Sequence, residues 1–514
     1  MRFLKILLKV LGGFVLLIVI LLAFMVTTVD DTPYQEMAYY QQWKKSVGGL
    51  QLAVHSPQST DNQLPIANRQ SPITNYNSLN VGWAKVNFTP KSPTSTAGYG
   101  VRRGALYTSV HDSIYVRTIV IDNGTTKAAI VAADLLIMPP VVTEQLKTKL
   151  KATGIPFEQV YFGATHSHNS MGGWSGGIVG ELFGGKFKPE NVTWIVDAIV
   201  KSIQLAQKDV KPASIGYHEI ADTARVRNRL IKDGPVDPYL RTIQFVRNDG
   251  KKALLCSYAA HSTILSSDNI VLSRDYPGVL VDSLEKGEAD FAVFMSGAVG
   301  SMGPKIEIES DSDFVKVETE ADSLESNIQK QLLSFQLFTN PQFQILSLPI
   351  PLREANPRIT LGLRLRPWVF KWAFGDFPNY VKVLRIGNVV MMGFPCDFSG
   401  ELVADMSNYA AKKGLKLMVT SFNGGYIGYI TPDKYYNKDS YETLTMNWFG
   451  PYNGAYFQEI ARDLIDKTQR VIINDTADYL NPARFIPMIS AGLVRRDAED
   501  ILHSPELDNF LMEA

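Results

Sequence analysis

Cysteine is nearly absent: there are two in 514 residues. That excludes a disulfide scaffold and every zinc site built from three or more thiolates. An excess of one charge is also absent, since 51 basic side chains meet 51 acidic ones. The chain therefore has no surplus of Lys and Arg with which to neutralise a run of nucleic-acid phosphates, and no nucleic-acid partner is expected. Repeats and low-complexity tracts are missing, and a hydrophobic content of 45% is ordinary for a globular chain, which excludes disorder and collagen-like structure. Histidine is scarce, at seven. What remains is an enzyme or a large binding domain whose polar chemistry uses His, Asp, Glu or Tyr. At about 150 residues per domain, the length allows three domains or one large catalytic domain with additions.

One long hydrophobic run is present, at the N-terminus. Arg2, Lys5 and Lys9 precede an uncharged stretch from Val10 to Val29, closed by Asp30 and Asp31. Twenty residues at 1.5 Å rise reach ~30 Å, the thickness of a bilayer core, and the basic flank favours the cytoplasmic side. The run exceeds the roughly 7–15 apolar residues of a cleaved signal peptide, and no A-x-A-like site follows Phe24. An uncleaved transmembrane anchor is thus favoured over a signal peptide, and either one exports the rest of the chain. The expected localisation is membrane-anchored, with the catalytic domain outside the cytoplasm, periplasmic or extracellular. Residues 56–80 are rich in Ser, Pro, Asn and Gln and read as a linker.

Beyond the linker, strand and helix signals alternate. Ile114–Ile121 and Ala128–Ala133 read as strands joined by an Asn123–Gly124 hairpin turn. Val141–Ala152 reads as a helix, Val160–Ala164 as a short buried strand, and Val192–Lys208 as a helix with Asn191 placed to cap it. Ala253–Ala260 and Phe291–Met295 are strand signals, Val317–Leu333 an acidic-faced helix, Gly387–Phe394 a buried strand and Ser399–Lys412 the helix after it. This alternation argues for an α/β fold over an all-β sandwich.

The chemistry concentrates where strands end. Tyr161 to Gly173 runs from a buried-type strand straight into His166 and His168, spaced i, i+2, and then into a glycine-rich loop. Strand ends feeding loops are where α/β enzymes place reactive groups. Ser257 to Thr263 repeats the theme and delivers His261. Three of seven histidines at strand ends point to a metal, because neutral imidazole is a good zinc ligand and two His with a carboxylate leave a position for water. A Gly-rich loop, Met295 to Pro304, follows another strand; Gly393-Phe-Pro-Cys396-Asp397 ends a further strand in a carboxylate. Tyrosines cluster from Tyr426 and Tyr429 to Tyr441-Glu442 and Tyr452.

Taken together and in this order, these stretches resemble the neutral ceramidase family, zinc-dependent amidohydrolases that cleave N-acylsphingosines. Val81 to Thr89 is similar to the family's opening, Gly163 to Gly173 to its G-T-H-T-H-S-G-P-G motif, Asn228-Arg229 to its N-R segment, Pro395 to Phe398 to its P-G-E-F, and Tyr426 to Pro451 to its Tyr-rich segment. The resemblance spans roughly residues 80 to 470. It implies His166, His261, Asp397 and Tyr429 as ligands of a Zn2+ ion. It also implies His168 as the acid/base or orienting histidine, and Arg229 and Tyr441 as groups that hold and polarise the amide carbonyl. Metal-activated water would be the nucleophile, with a His able to carry the proton to the leaving amine.

Three departures stand out. Where the family reads G-D-x-S-P, this chain has Gly300-Ser301-Met302-Gly303-Pro304, so the family's serine is Gly303 and its acid is Ser301, which is left as a candidate for a polar catalytic role. The family's glutamate ligand is Asp397, with Glu401 one turn further on as a possible substitute. The chain also stops soon after the matching region, without the C-terminal β-sandwich of typical ceramidases. The aromatic and basic stretch Arg364 to Phe374 reads either as an interfacial segment or as a core-packed element. The expectation is an α/β fold of mixed sheets flanked by helices: a signal-anchor at 1–29, a leading segment at 30–78, one catalytic domain at 79–480 and a tail at 481–514. Its function would be hydrolysis of a ceramide-like N-acyl lipid, with the N-terminal helix in the membrane. The alternatives are a zinc hydrolase of another amide or ester, and a catalytically silent lipid- or glycan-binding relative.

Overall fold

Alternation of apolar side chains along the strands builds a core with sheet on both sides. The computed structural model describes residues 2–50, 79–332, 337–338 and 341–469. Residues 51–78 of the expected leading segment and the tail expected at 481–514 lie outside the described residues. The large sheet runs β10 (Phe291–Ser296), β9 (Lys252–Tyr258), β8 (Tyr239–Arg247), β6 (Lys211–Ala221), β2 (Asn80–Asn87), β3 (Tyr115–Asp122), β4 (Lys127–Ala133) and β5 (Val160–Ala164), with β12 (Leu337–Phe338) added beside β6. Its pairs are antiparallel except β9–β10 and β4–β5 at the two ends. A Cβ on Gly163 would lie 2.9 Å from Met295 Sδ, so the two end strands β5 and β10 pass too close for a side chain at 163.

A second sheet, β13 (Phe343–Pro349), β15 (Tyr380–Ile386), β16 (Val389–Gly393) and β18 (Lys416–Thr420), lies against the first. Ile130, Tyr161, Leu255 and Val293 of the large sheet share one buried cluster with Ile345, Leu384, Met391 and Met418 of the second. Three short ladders complete the pairing: β17 (Asp397–Phe398) with β19 (Tyr429–Ile430), β7 (Val226–Asn228) with β11 (Met302–Pro304), and β1 (Val26–Thr28) with β14 (Leu363–Leu365). The outer faces are covered by helices. α3 (Pro140–Lys149) and α5 (Pro189–Lys208) lie over β2 to β5, and α6 (Asp275–Gly287) and α7 (Asp313–Leu332) over β8 to β10. α9 (Val403–Ala411) and α10 (Asn453–Thr468) cover the second sheet. α2 (Ala38–Gly48) closes on α10: Tyr34 and Tyr40 hydroxyls donate to Glu459, and Trp43 Nε1 and Lys44 Nζ donate to Asp463 at 2.9 and 2.8 Å. Two short helices, α4 (Gly177–Gly184) and α8 (Pro367–Phe374), pack side by side.

The strand ends are stitched together on one side. Tyr161 OH and Thr420 Oγ1 share a hydrogen bond of 2.6 Å, Lys382 Nζ donates to Val160 O at 2.6 Å, and Ser421 N donates to Ser296 O at 3.0 Å. The carboxyl ends of β5, β9, β10, β16 and β18 thus open into a common region. Two expectations are corrected here. Asn191 does not cap α5: Lys188 occupies that position because the helix begins at Pro189, and Asn191 Nδ2 donates to Gly172 O instead. The N-terminal run is not one helix either, for α1 (Arg2–Met25) gives way to strand β1 at Val26. Sixteen uncharged residues, Val10 to Met25, reach ~24 Å, short of a ~30 Å hydrocarbon core. Among the described residues no helix is long and apolar enough to cross a membrane; the side chains at 15 and 17–22 lie outside the described ones.

Glu320 of α7 is fully buried with no hydrogen-bond partner for either carboxylate oxygen, and burial pushes its pKa from 4.5 up to about 8, against the pull of Arg225. The unfolded chain ionises first, so the cost to stability is absent below pH 4.5 and grows until pH 8. Glu320→Gln should therefore raise Tm by several degrees at pH 8 and leave it unchanged at pH 4.5. Equal shifts in calorimetric Tm at the two pH values would refute this account.

Candidate metal-centred active site

β5 ends at Ala164, and two residues later His166 adopts φ 59, a left-handed conformation that non-glycine residues rarely hold without compensation. The compensation is visible around it. His166 stacks on Phe422, itself at φ 66, with ring centroids 4.3 Å apart, and its Nδ1 donates to Leu136 O at 2.5 Å. His261, following β9, likewise donates from Nδ1 to Val299 O at 2.9 Å. A carbonyl oxygen can only accept, so both imidazoles carry their proton on Nδ1 and turn an Nε2 lone pair into the site. These two Nε2 atoms are 2.9 Å apart.

The third donor is fixed by a two-residue ladder. Parallel pairing of β17 with β19 sets Asp397 directly opposite Tyr429. Asp397 Oδ2 accepts from Tyr426 OH at 2.7 Å, while Oδ1 has no hydrogen-bond partner and lies 3.4 and 3.5 Å from Nε2 of His166 and His261. Tyr429 OH is 3.3 Å from His261 Nε2. Burial holds His166 down at about pKa 3, keeps His261 well below its ordinary value, and pushes Asp397 up to about 7. Lone pairs and a carboxylate oxygen this close, without a hydrogen between them, repel unless a cation lies among them. A tetrahedral zinc ion with bonds of about 2.0–2.2 Å spaces its donors about 3.3–3.6 Å apart. The donor set fits such an ion in chemistry, and the two Asp397 Oδ1 distances fit it in spacing, while the two Nε2 atoms at 2.9 Å would part by a few tenths of an ångström to take it.

His168 joins the cluster, its Nε2 3.3 Å from that of His166, and the donor atoms of His166, His168 and His261 all lie within 4.8 Å of one another. Its Nδ1 is buried and has no hydrogen-bond partner. The ring sits where Gly98 has no side chain, since a Cβ there would come 2.6 Å from it. Arg229 lies on the other side. One Nη2 donates to Tyr429 OH at 3.0 Å and to Gly300 O at 3.2 Å, and Nε is 3.2 Å from Glu442 Oε1. Tyr441 stands edge-on to Tyr429 with centroids 5.7 Å apart. The cluster forms the floor of a cavity of about 660 Å³ including its open mouth. Its walls are apolar and include Leu136, Trp174, Val179, Phe183, Phe374, Met446 and Trp448.

Comparison with known proteins bears on this arrangement. Residues 80–316 match the family model described as neutral/alkaline non-lysosomal ceramidase, N-terminal. The neutral ceramidase of Mycobacterium tuberculosis is 28% identical over 167 residues, covering 28% of this chain and 26% of that protein. The neutral ceramidase of Pseudomonas aeruginosa is 26% identical over 225 residues, 40% of this chain and 33% of that protein. Over residues 80–316 this chain is similar to the neutral/alkaline ceramidase family. The matched stretches span about a quarter and a third of those two relatives. Among solved structures, neutral ceramidase from Pseudomonas aeruginosa shares the fold at TM-score 0.65, with 18% identity over 77% of this chain and 76% of that one. A structure described as ceramidase complexed with C2 does so at 0.67 and 17% identity, with the same coverage of each chain.

Seven of the eight residues expected at the site are brought together: His166, His168, His261, Asp397, Tyr429, Arg229 and Tyr441. Ser301 is the exception. It is buried, its hydroxyl shares a hydrogen bond with Ser399 Oγ, and it is absent from the cavity wall. Glu401 does not substitute for Asp397 either, because its Oε1 accepts from Asn228 Nδ2 at 2.7 Å. A Cβ on Gly303 would meet Arg229 Cδ at 3.5 Å, ordinary contact, so the position of the family's serine lies against the stem of Arg229.

Sequence reasoning missed the supports. Arg102 is buried and makes six hydrogen bonds, to Thr96 Oγ1, the carbonyls of His168, Ser266, Ser267 and Asn269, and Asn169 Oδ1. It thereby ties the loop of His168 to the loop that follows His261, and it stacks on Tyr99, which in turn packs on His168. No motif in the sequence singles out Arg102.

Titration of the chelated protein with Zn2+ should give one binding equivalent and a higher Tm, both lost in His261→Ala. Zinc uptake unchanged by that substitution would refute the donor set. Arg102→Ala should lower zinc affinity at least about tenfold besides lowering Tm. A fall in Tm at unaltered zinc affinity would reduce Arg102 to general stabilisation.

Proposed function

We propose that the chain is a zinc-dependent hydrolase of the amide bond in a ceramide-like N-acyl lipid, acting outside the cytoplasm. The observation that carries this reading is the meeting of a cation-demanding donor set with an apolar cavity directly above it. Similarity to the ceramidase family over residues 80–316 supports the amide and the lipid. His166, His261, Asp397 and Tyr429 would hold the ion. When bound, zinc supplies Lewis acidity and makes water a nucleophile at neutral pH.

The chain's own residues supply the rest. The apolar walls take an acyl chain, as pockets for drug-sized apolar ligands do with few polar groups to orient them. That places the amide at the floor, where His168 Nε2 carries a proton between water and the leaving amine. Arg229 and Tyr441 donate hydrogen bonds to the carbonyl oxygen as charge develops on it, which is the larger electrostatic contribution. Glu442 fixes the guanidinium that does this. A second reading, hydrolysis of another amide or an ester, draws its support from Gly303, which leaves the stem of Arg229 without the family's serine beside it.

The zinc-loaded protein should release fatty acid from long-chain N-acylsphingosine at least about a hundredfold faster than from a short aryl ester, and His168→Ala should cut turnover by about 10²–10⁴ with zinc retained. A panel of N-acyl lipids, amides and esters, with fatty acid quantified by mass spectrometry, decides the matter. Preference for the short ester would favour the second reading, and no turnover of any member would overturn both.

A further inference from the structure

The mouth of the cavity is framed by α4 and α8, and both helices divide their apolar residues in the same way. On α4, Val179 and Phe183 point into the cavity, while Ile178 and Leu182, also four residues apart, are exposed. On α8, Phe374 points in, while Trp368 and Trp372 are 54% and 64% exposed. Of the seven tryptophans in the chain, these two are the exposed ones. Val101, beside α4, is 74% exposed. A helix that is apolar on both its inner and its outer face is left uncovered among the described residues, and contiguous apolar surface of this kind marks a contact site.

The position of α1 says what the contact is. Met25 O, at the last residue of α1, accepts from Arg366 N, the residue that caps α8, at 2.8 Å. The β1–β14 ladder continues this junction, Val26 pairing with Leu365. The apolar helix α1 exposes Phe3, Leu7, Leu11, Phe14 and Phe24 among other large apolar side chains, and it is fastened at the same edge as the exposed tryptophans. Arg366 and Arg103 are exposed beside α8 and Val101. Indole rings at the level of the headgroups, aliphatic side chains beneath them and arginines reaching phosphates are the composition of an interfacial contact.

We propose that Trp368 and Trp372 of α8, with Ile178 and Leu182 of α4 and Val101, form a bilayer-docking face that sets the cavity mouth on the surface of a phospholipid membrane. The face extends the N-acyl lipid reading, since a substrate held in a bilayer would enter the cavity without crossing water. Docking does not require α1 to span the membrane, only to lie in the same interface.

The test uses the full chain and phosphatidylcholine vesicles containing phosphatidylglycerol, with and without bromine on the acyl chains. Brominated vesicles should quench tryptophan emission, and Trp368→Ser/Trp372→Ser should abolish most of that quenching. On vesicle-borne N-acylsphingosine the double variant should show a several-fold higher KM, with turnover of a short, water-soluble N-acyl amide unchanged. Binding without quenching would mean that α1 alone holds the protein to lipid, and would overturn the proposal. Absence of binding, or a KM unchanged on vesicles, would do the same and leave the face to a protein partner. The quenching arm is read without catalysis, so failure of the hydrolase reading does not obscure it.

Discussion

Two imidazole lone pairs and a carboxylate oxygen are held within 3.5 Å of one another, with no hydrogen to share among them. Much of the surrounding fold acts to maintain this unfavourable convergence. The carbonyls of Leu136 and Val299 fix the tautomers, the β17–β19 ladder fixes Asp397 beside Tyr429, and Tyr426 occupies the outer carboxylate oxygen so that the inner one stays free. In the absence of a cation, such a cluster costs stability; with one, the same atoms become ligands whose geometry was prepared in advance. The left-handed backbone at His166 belongs to the same economy of strain, because the stacking on Phe422 holds a conformation that isolated residues would leave.

The fold was partly legible from sequence, and the pattern of success has a physical cause. Val160–Ala164, Phe291–Met295 and the β3–β4 hairpin were readable because they are short, apolar and buried on both faces, or carry an Asn-Gly turn. In that turn Gly124 has φ 84 and Asn123 Oδ1 accepts from two backbone N–H groups. β6 and β8 escaped notice because their sequences mix Pro, Gly, His and Arg, and their place in the sheet is decided by pairing with each other. α6 was hidden by Pro277 and Gly278, which read as breakers but lie in its first turn, where a missing N–H costs nothing. The site was more legible than the fold, since ligand types at strand ends are local signals. Arg102, Tyr426 and Glu442 were not, because their roles exist only through partners distant in sequence.

Two of the departures from the family motif, at Ser301 and Gly303, fall on one loop. Gly300 needs no side chain because a Cβ there would meet Asp397 O at 2.4 Å, so the loop and the ligand strand are in contact. Ser301 turns towards Ser399, the residue that caps the turn following Asp397, instead of towards the cavity. Ser301 and Gly303, which stand where the resemblance implies an acid and a serine, therefore bear on how the loop braces Asp397.

The N-terminal segment has a consequence of another kind. Its contacts, Val26 with Leu365, Trp43 with Asp463 and Tyr34 with Glu459, span more than 330 positions of the chain. Loop closure over such distances is slow, and a polypeptide emerging from the ribosome supplies its N-terminus first. The segment from α1 to α2 is made well before its partners and is thus among the last to acquire them. Until α10 has been synthesised and has folded, α2 has no surface on which to bury Trp43, and the apolar helix before it remains available to whatever meets the nascent chain.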